Sequence, residues 1–275
     1  MDKRILIGGA AVLVVIVMVV FPKGKDKEKN PVPVETVSVQ DMTGNELYDQ
    51  ASGLKKDGEI VQAKEAYQKI LTDYPDVGNV EKVQKELEAL NMELLFSKTP
   101  VPGKTVVHEI QSGDTLGGLA SKYGTTIDLI KRSNNLSSDV IRIGQKLRIW
   151  TEMFNIFVDK SQNILILKDG DDVLKVYNVS TGNANSTPVG EFEITTRLID
   201  PVWFNKGIVV PPESPQNVLG SRWLGFDLPG YGIHGTVEPE TIGEQVTAGC
   251  IRMRNEEVEE LYSIIPRGTK VIVAD

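Results

Sequence analysis

Among 275 residues the chain holds one thiol, Cys250, and two imidazoles, His108 and His234. His234 lies in the run Ile233-His234-Gly235-Thr236, shortly before Thr247-Ala248-Gly249-Cys250-Ile251-Arg252-Met253. A thiol with an imidazole near it in sequence is the makings of a cysteine nucleophile served by a general base. A free thiol ionises near pH ~8.5, so an imidazolium or a polarised backbone beside it raises the thiolate fraction at neutral pH. Gly249 lets a carbonyl approach the backbone closely, and the amides of Gly249 and Cys250 could together form an oxyanion hole. Arg252 is placed to pair with a substrate carboxylate or to brace the loop. On residue types alone an inert reading competes, because a lone cysteine flanked by glycine and isoleucine is commonly a small buried hydrophobe.

Other chemistries are restricted by the same counts. A single cysteine forms no intramolecular disulfide. One Cys and two His are too few for a closed zinc site of the usual kind. Although carboxylates alone could bind a metal, no ligand spacing points to such a site, so neither metal nor cofactor is expected. The formal net charge of -8 argues against a nucleic-acid partner, which needs a basic face to neutralise phosphates. Hydrophobic content of 40% and charged content of 25% are globular usage, and the length suits two or three modules.

The elements that must position Cys250 and His234 are short strands. Ile156-x-Val158, Ile164-x-Ile166 and Val173-x-Lys175-x-Tyr177-x-Val179 fit alternating or buried strands, with Asp169-Gly170 as a hairpin turn. Glu191 to Thr195 and Lys270 to Val273 read as further strands, and Asn255 to Tyr262 as a helix. The expectation over residues 154–275 is a mainly-β, mostly antiparallel sandwich with one short helix. The stretch from Ile199 to Leu219, with Trp203, Phe204 and Pro211-Pro212, reads equally as a lid or as core.

Upstream, Ile5 to Phe21 is apolar throughout. Residues 1–22 are read as an uncleaved single-pass transmembrane signal anchor. No small-x-small cleavage site follows, although a cleaved signal peptide is the competing reading. Residues 23–40, charged and then punctuated by Pro31 and Pro33, form a tether. Residues 41–96 carry helical periodicity, opening on a capping box at Thr43-x-x-Glu46. They resemble one tetratricopeptide-type helical hairpin and are read as a spacer.

Residues 105–150 predict strand, helix, helix, strand, with Asp114 and the pair Thr125-x-x-Asp128 as helix caps. Gly113-Asp114-Thr115-Leu116, Asn134-Asn135-Leu136 and Ile143-Gly144-Gln145-Lys146-Leu147 occur in the order of a LysM domain, and the segment resembles that family along its length. The resemblance implies binding of N-acetylglucosamine-containing glycan such as peptidoglycan, through Gly113, Asp114, Thr115, Leu116, Ile141 and Ile143.

Residues 154–275 resemble the L,D-transpeptidase catalytic domain. The resemblance rests on Ser180-Thr181-Gly182, Thr187-Pro188-x-Gly190-x-Phe192-x-Ile194, Leu219-Gly220-x-Arg222-Trp223, His234-Gly235-Thr236 and Gly249-Cys250-Ile251-Arg252-Met253, in that order. It implies Cys250 as nucleophile, His234 as general base and the Gly235 carbonyl as the group orienting the imidazole. Gly249 supplies oxyanion-hole backbone, Arg252 supports substrate or loop, and Trp223, Thr236 and Thr247 contact substrate. Many members carry a second histidine where this chain has Ala248. The implied reaction forms a thioester with a tetrapeptide stem, releases D-alanine and makes 3-3 cross-links in peptidoglycan. Water as acceptor would give an L,D-carboxypeptidase and a protein lysine a wall-anchoring enzyme, while a silent LysM tether is the non-catalytic alternative. Carbapenem-type inhibitors are expected to acylate the thiol. Such chemistry belongs outside the cytoplasm, at a bacterial cell membrane facing the wall.

Overall fold

The computed structural model describes residues 43–205 and 207–275. The expected anchor (1–22) and tether (23–40) lie outside the described residues. Among the described residues no helix is long and apolar enough to cross a membrane.

The chain divides into two compact units between Lys85 and Glu86. In the first, α1 (Gly44–Lys56) and α2 (Ile60–Asp73) form a helical hairpin. The expected capping box opens α1: Thr43 accepts from the Glu46 amide, and the Glu46 carboxylate accepts from Thr43 N at 2.8 Å. Ala51 and Ala63 are fully buried, beside Leu47, Tyr67 and Ile70. Small side chains at such positions let two helices approach closely, and this pair supplies a local core and no chemistry.

A third helix, α3 (Val80–Phe96), was expected to belong to the spacer, but its second half is part of the other unit. Met92 and Leu95 enter the main catalytic-domain core. The Asn91 side-chain amide donates to the carbonyls of Val173 and Leu174 at 3.1 and 3.2 Å. That contact satisfies backbone acceptors on an outer strand of the sheet, which would otherwise need water.

The LysM segment follows the expected order: β1 (Thr105–Glu109), α4 (Leu116–Tyr123), α5 (Ile127–Asn134) and β2 (Lys146–Trp150). β1 and β2 pair antiparallel, and Ile110, Leu116, Leu119, Ile130, Leu147 and Ile149 fill a core beneath the helices. Thr115 caps α4 by accepting from Gly118 N, while Asp114 does not, and Thr126, one residue beyond the expected Thr125, caps α5 by accepting from Leu129 N. Each cap needs an extended backbone directly before the first helical residue, and these threonines have it.

Only three residues separate β2 from the first catalytic strand. The strands are β3 (Phe154–Asp159), β4 (Ile164–Asp169), β5 (Asp172–Asn178), β6 (Thr181–Gly182), β7 (Gly190–Ile199), β8 (Trp203–Asn205) and β9 (Ile208–Val210). Then follow β10 (Arg222–Phe226), β11 (Gly232–His234), β12 (Gln245–Thr247), β13 (Ile251–Arg252), α6 (Asn255–Ile264) and β14 (Lys270–Ala274). Eight of them make one sheet in the order β13-β11-β10-β7-β14-β3-β4-β5.

The expected sandwich of two separate sheets is therefore corrected to one continuous, curled sheet. Its turning point is β7, whose residues 190–193 pair with β14 and whose residues 194–199 pair with β10. A strand that changes partner midway lets one sheet fold over a single core. Ile156, Val158, Leu165, Leu167, Ile194, Leu224, Ile233, Val258 and Leu261 occupy that core. The segment 199–219 is neither wholly core nor wholly lid: β8 and β9 form an exposed hairpin with Phe204 74% accessible. At its base the buried Asn217 amide donates to the Pro201 carbonyl at 2.8 Å.

Candidate active site

Cys250 and His234 are placed by neighbouring strands at the edge of that sheet. β11 and β13 pair in parallel, with Ile233 opposite Ile251 and His234 opposite Arg252. Strand side chains alternate, so Ile233 and Ile251 point into the core while His234 and Arg252 share the other face. Cys250, directly before β13, returns to the His234 face. Its sulfur lies 3.4 Å from the Gly230 carbonyl, to which the thiol can donate.

His234 is buried, and its Nδ1 lies 2.6 Å from the Gly235 carbonyl. A carbonyl can only accept, so Nδ1 carries the proton and Nε2 is left as the ring's sole acceptor. No carboxylate is required to fix this tautomer. Trp223, opposite His234 on β10, stacks on the imidazole with centroids 6.1 Å apart and planes 20° apart. Expected as a substrate contact, Trp223 thus holds the ring in place.

Burial makes both charged forms unfavourable. It lowers the His234 pKa to about 4, despite the Gly235 hydrogen bond, and the Arg252 charge acts in the same direction. It raises the Cys250 thiol to about 11, opposed by the Gly232 amide and by Arg252. The resting pair is a neutral thiol and a neutral imidazole.

Several expected contacts are used internally. Gly249 N donates to Thr247 Oγ1 at 3.2 Å, so in this conformation its amide is not the free donor expected of an oxyanion hole. Thr247 is buried, and its hydroxyl donates to the Cys250 carbonyl at 2.6 Å, closing the turn before β13. Gly249 itself has φ +127°, and a Cβ there would stand 2.7 Å from the Tyr231 ring, so both backbone and packing demand glycine. Thr236 is also buried, with its hydroxyl accepting from Glu238 N at 2.9 Å. Arg252 donates to Glu238 Oε2 at 3.0 Å and Thr241 Oγ1 at 2.9 Å, which makes it a brace for the 236–244 loop. Ala248, two residues before Cys250, is exposed.

Asn255, unrecognised in the sequence as part of the site, is the main support of the histidine turn. Its Oδ1 accepts from Thr236 N at 3.0 Å and Ser221 N at 3.2 Å, and its Nδ2 donates to the Thr236 carbonyl at 2.8 Å. An Asn at the start of a helix normally signals a cap for that helix, and here the side chain reaches back to another strand's turn instead. Gly220, at φ +61°, packs on the same group, where a Cβ would overlap Thr236 N and Asn255 Oδ1. Asn255→Ala is expected to lower kcat about tenfold or more, since small misplacement of a reacting group is costly. An unchanged circular-dichroism melting curve alongside the lost turnover separates misplacement from unfolding.

The glycan residues proposed for the LysM segment divide into three kinds. Asp114 Oδ2 is held by Gln111 N and His108 Nε2, each at 2.8 Å, and Thr115 is committed to its cap. Leu116 is buried and Ile141 packs partly on the module core, so neither side chain is an open contact. Gly113, at φ +92°, and Ile143, 73% accessible, remain open to a ligand.

A thiol and an oriented imidazole on the edge of a curled sheet define the class of thiol-dependent acyl transferases. Residues 154–273 match the L,D-transpeptidase catalytic domain family (YkuD), and residues 108–150 match the LysM domain. YqjB of Bacillus subtilis, named as a candidate L,D-transpeptidase, is 43% identical over 44% of this chain and 70% of its own. YkuD of the same organism, similarly named, is 31% identical over 61% of this chain and 98% of its own. The crystal structure of a Mycobacterium tuberculosis L,D-transpeptidase superposes with a TM-score of 0.39 and 16% identity, covering 50% of this chain and 75% of that one. The chain belongs to the L,D-transpeptidase family and is an enzyme of peptidoglycan.

Proposed function

We propose that the donor is a peptidoglycan tetrapeptide stem and that Cys250 is acylated by its third residue. The carrying observation is the 2.6 Å contact of His234 Nδ1 with the Gly235 carbonyl, which leaves Nε2 as base on the face that Cys250 shares. As Sγ attacks the carbonyl at the L-centre, Nε2 takes the thiol proton. The C–N bond to D-alanine then breaks, and that proton passes to the leaving amine. An amine of a neighbouring stem attacks the thioester, the C–S bond breaks, and the amine's proton returns to sulfur through His234. The product is a 3-3 cross-link. The Cys250 amide is the oxyanion donor in this scheme, and the Arg252 charge favours thiolate as it forms.

The LysM segment supports docking on glycan through Gly113 and Ile143. The apolar run Ile5–Phe21 supports a membrane-tethered enzyme working on the wall side of a bacterial membrane, and a carbapenem ring offers the thiol a strained acyl donor. The test is incubation with disaccharide-tetrapeptide followed by mass spectrometry of protein and product. An acyl adduct on the Cys250 peptide together with dimer supports transpeptidation. Tripeptide monomer alone would make water the acceptor, and an unmodified Cys250 with no D-alanine released would sink the assignment.

A further inference from the structure

The LysM module is fastened to the catalytic domain by α5 and β2, away from its open glycan positions Gly113 and Ile143. The Thr126 hydroxyl donates to the Ser263 carbonyl, and Arg132 Nη1 donates to Ser263 Oγ at 2.6 Å. Thr126 and Ser263 are both buried, and Leu129 between the two α5 donors enters the catalytic core cluster. The Arg132 guanidinium lies 3.3 Å from the Phe96 ring centroid, and Arg148 Nη1 donates to the Leu95 carbonyl at 2.8 Å. At the other end of β2, Trp150 Nε1 donates to Asp169 Oδ1 at 3.3 Å, while Lys104 pairs with Asp169 Oδ2 at 2.6 Å.

Ser263 belongs to the last turn of α6, and Asn255 is that helix's first residue. One ten-residue helix is thus gripped by the LysM module at one end and grips the His234–Thr236 turn at the other. The hydrogen bonds at the two ends, buried at Thr126–Ser263 and part-buried at Asn255, restrain the helix, because breaking one leaves a shielded polar group without a partner.

The geometry points to a rigid strut: the LysM module, α6 and the histidine turn form one body. A glycan strand held by the module then presents its stem peptides to Cys250 at a fixed distance, so the preferred donor is a stem borne on polymeric glycan, not a free muropeptide. Thr126 and Arg132 are positioning residues that set this preference. The inference rests on the reading that the module holds glycan and that Cys250 takes the acyl group.

The test compares the full chain with a Thr126→Ala/Arg132→Ala variant, and with Arg132→Lys as conservative rescue. D-alanine release is measured from purified peptidoglycan polymer and from soluble disaccharide-tetrapeptide. The variant should lose at least tenfold more in kcat/KM on polymer than on soluble substrate, with polymer pull-down unchanged, and Arg132→Lys should recover part of the loss. Equal losses on both substrates, or an unchanged polymer rate, would overturn the strut. If the double variant does not fold, NMR relaxation of the unaltered chain decides: LysM and catalytic amides should share one rotational correlation time, and two separate times overturn it. An unaltered chain that releases no D-alanine from either substrate fails the transpeptidase reading, and the relaxation result stands apart from that failure.

Discussion

Cys250→Ala is expected to abolish acyl-enzyme formation, and His234→Ala to lower acylation by roughly 10²–10⁴-fold, the range that follows when a positioned general base is lost. The two effects differ in kind. Without sulfur there is no atom to carry the acyl group, whereas without imidazole the thiol must lose its proton to solvent. With the thiol raised to about 11, that loss is a steep uphill step at neutral pH. Raising the pH should therefore rescue His234→Ala progressively while leaving Cys250→Ala inactive. In the unaltered enzyme, kcat/KM should fall on the acid side near pH 4, where the buried imidazole gains its proton, and not near 6.5. Stopped-flow acylation with a chromogenic thioester across pH 4–10 reads both limbs. A pH-independent deficit in His234→Ala would assign the imidazole a structural role.

Acid should also unfold the protein through the same ring. The imidazole ionises near 6.5 when unfolded and at about 4 when folded, so the unfolded chain binds more protons between these values. Its contribution to stability is complete above pH 6.5 and declines as pH falls, until it levels off below 4. The difference corresponds to about 3 kcal/mol. Urea midpoints at pH 7 and pH 4.5 measure it, with His234→Gln as reference, because Gln cannot take up the proton. Carboxylates contribute to the same acid loss in both proteins, so only the difference between their pH slopes belongs to His234. Identical slopes would show that the ring is hydrated in the folded state.

Cys250 and His234 stood out in the sequence as a candidate pair because their signals are local. A lone cysteine after glycine, with a His-Gly pair upstream, needs no long-range information to stand out. The strand periodicities around Ile156, Ile164 and Val173 and the Asp169-Gly170 turn were readable for the same reason. What sequence could not show is where a polar group's hydrogen bond goes. Thr247 and Thr236 looked available for substrate, yet both hydroxyls are consumed by turns whose closure depends on backbone three-dimensional course. Asn255 carried an ordinary helix-start signal, and its true partner is a turn nineteen residues upstream in the chain. The curled sheet was read as a sandwich because periodicity shows which face of β7 is buried, not that the strand changes partner along its length. The second half of α3 was assigned to a spacer since helical spacing reports an apolar stripe without naming what covers it.

The position of β14 bears on how this enzyme comes into being. Residues 270–274 follow every other strand in the chain, yet β14 lies between β7 and β3 in the middle of the sheet. Until that segment leaves the ribosome, β3 and β7 have open edges facing each other, and neither half can close on the core. Pairings of such long sequence separation form slowly. The sheet therefore closes around its central strand only after β14, late in the chain, has joined β3 to β7.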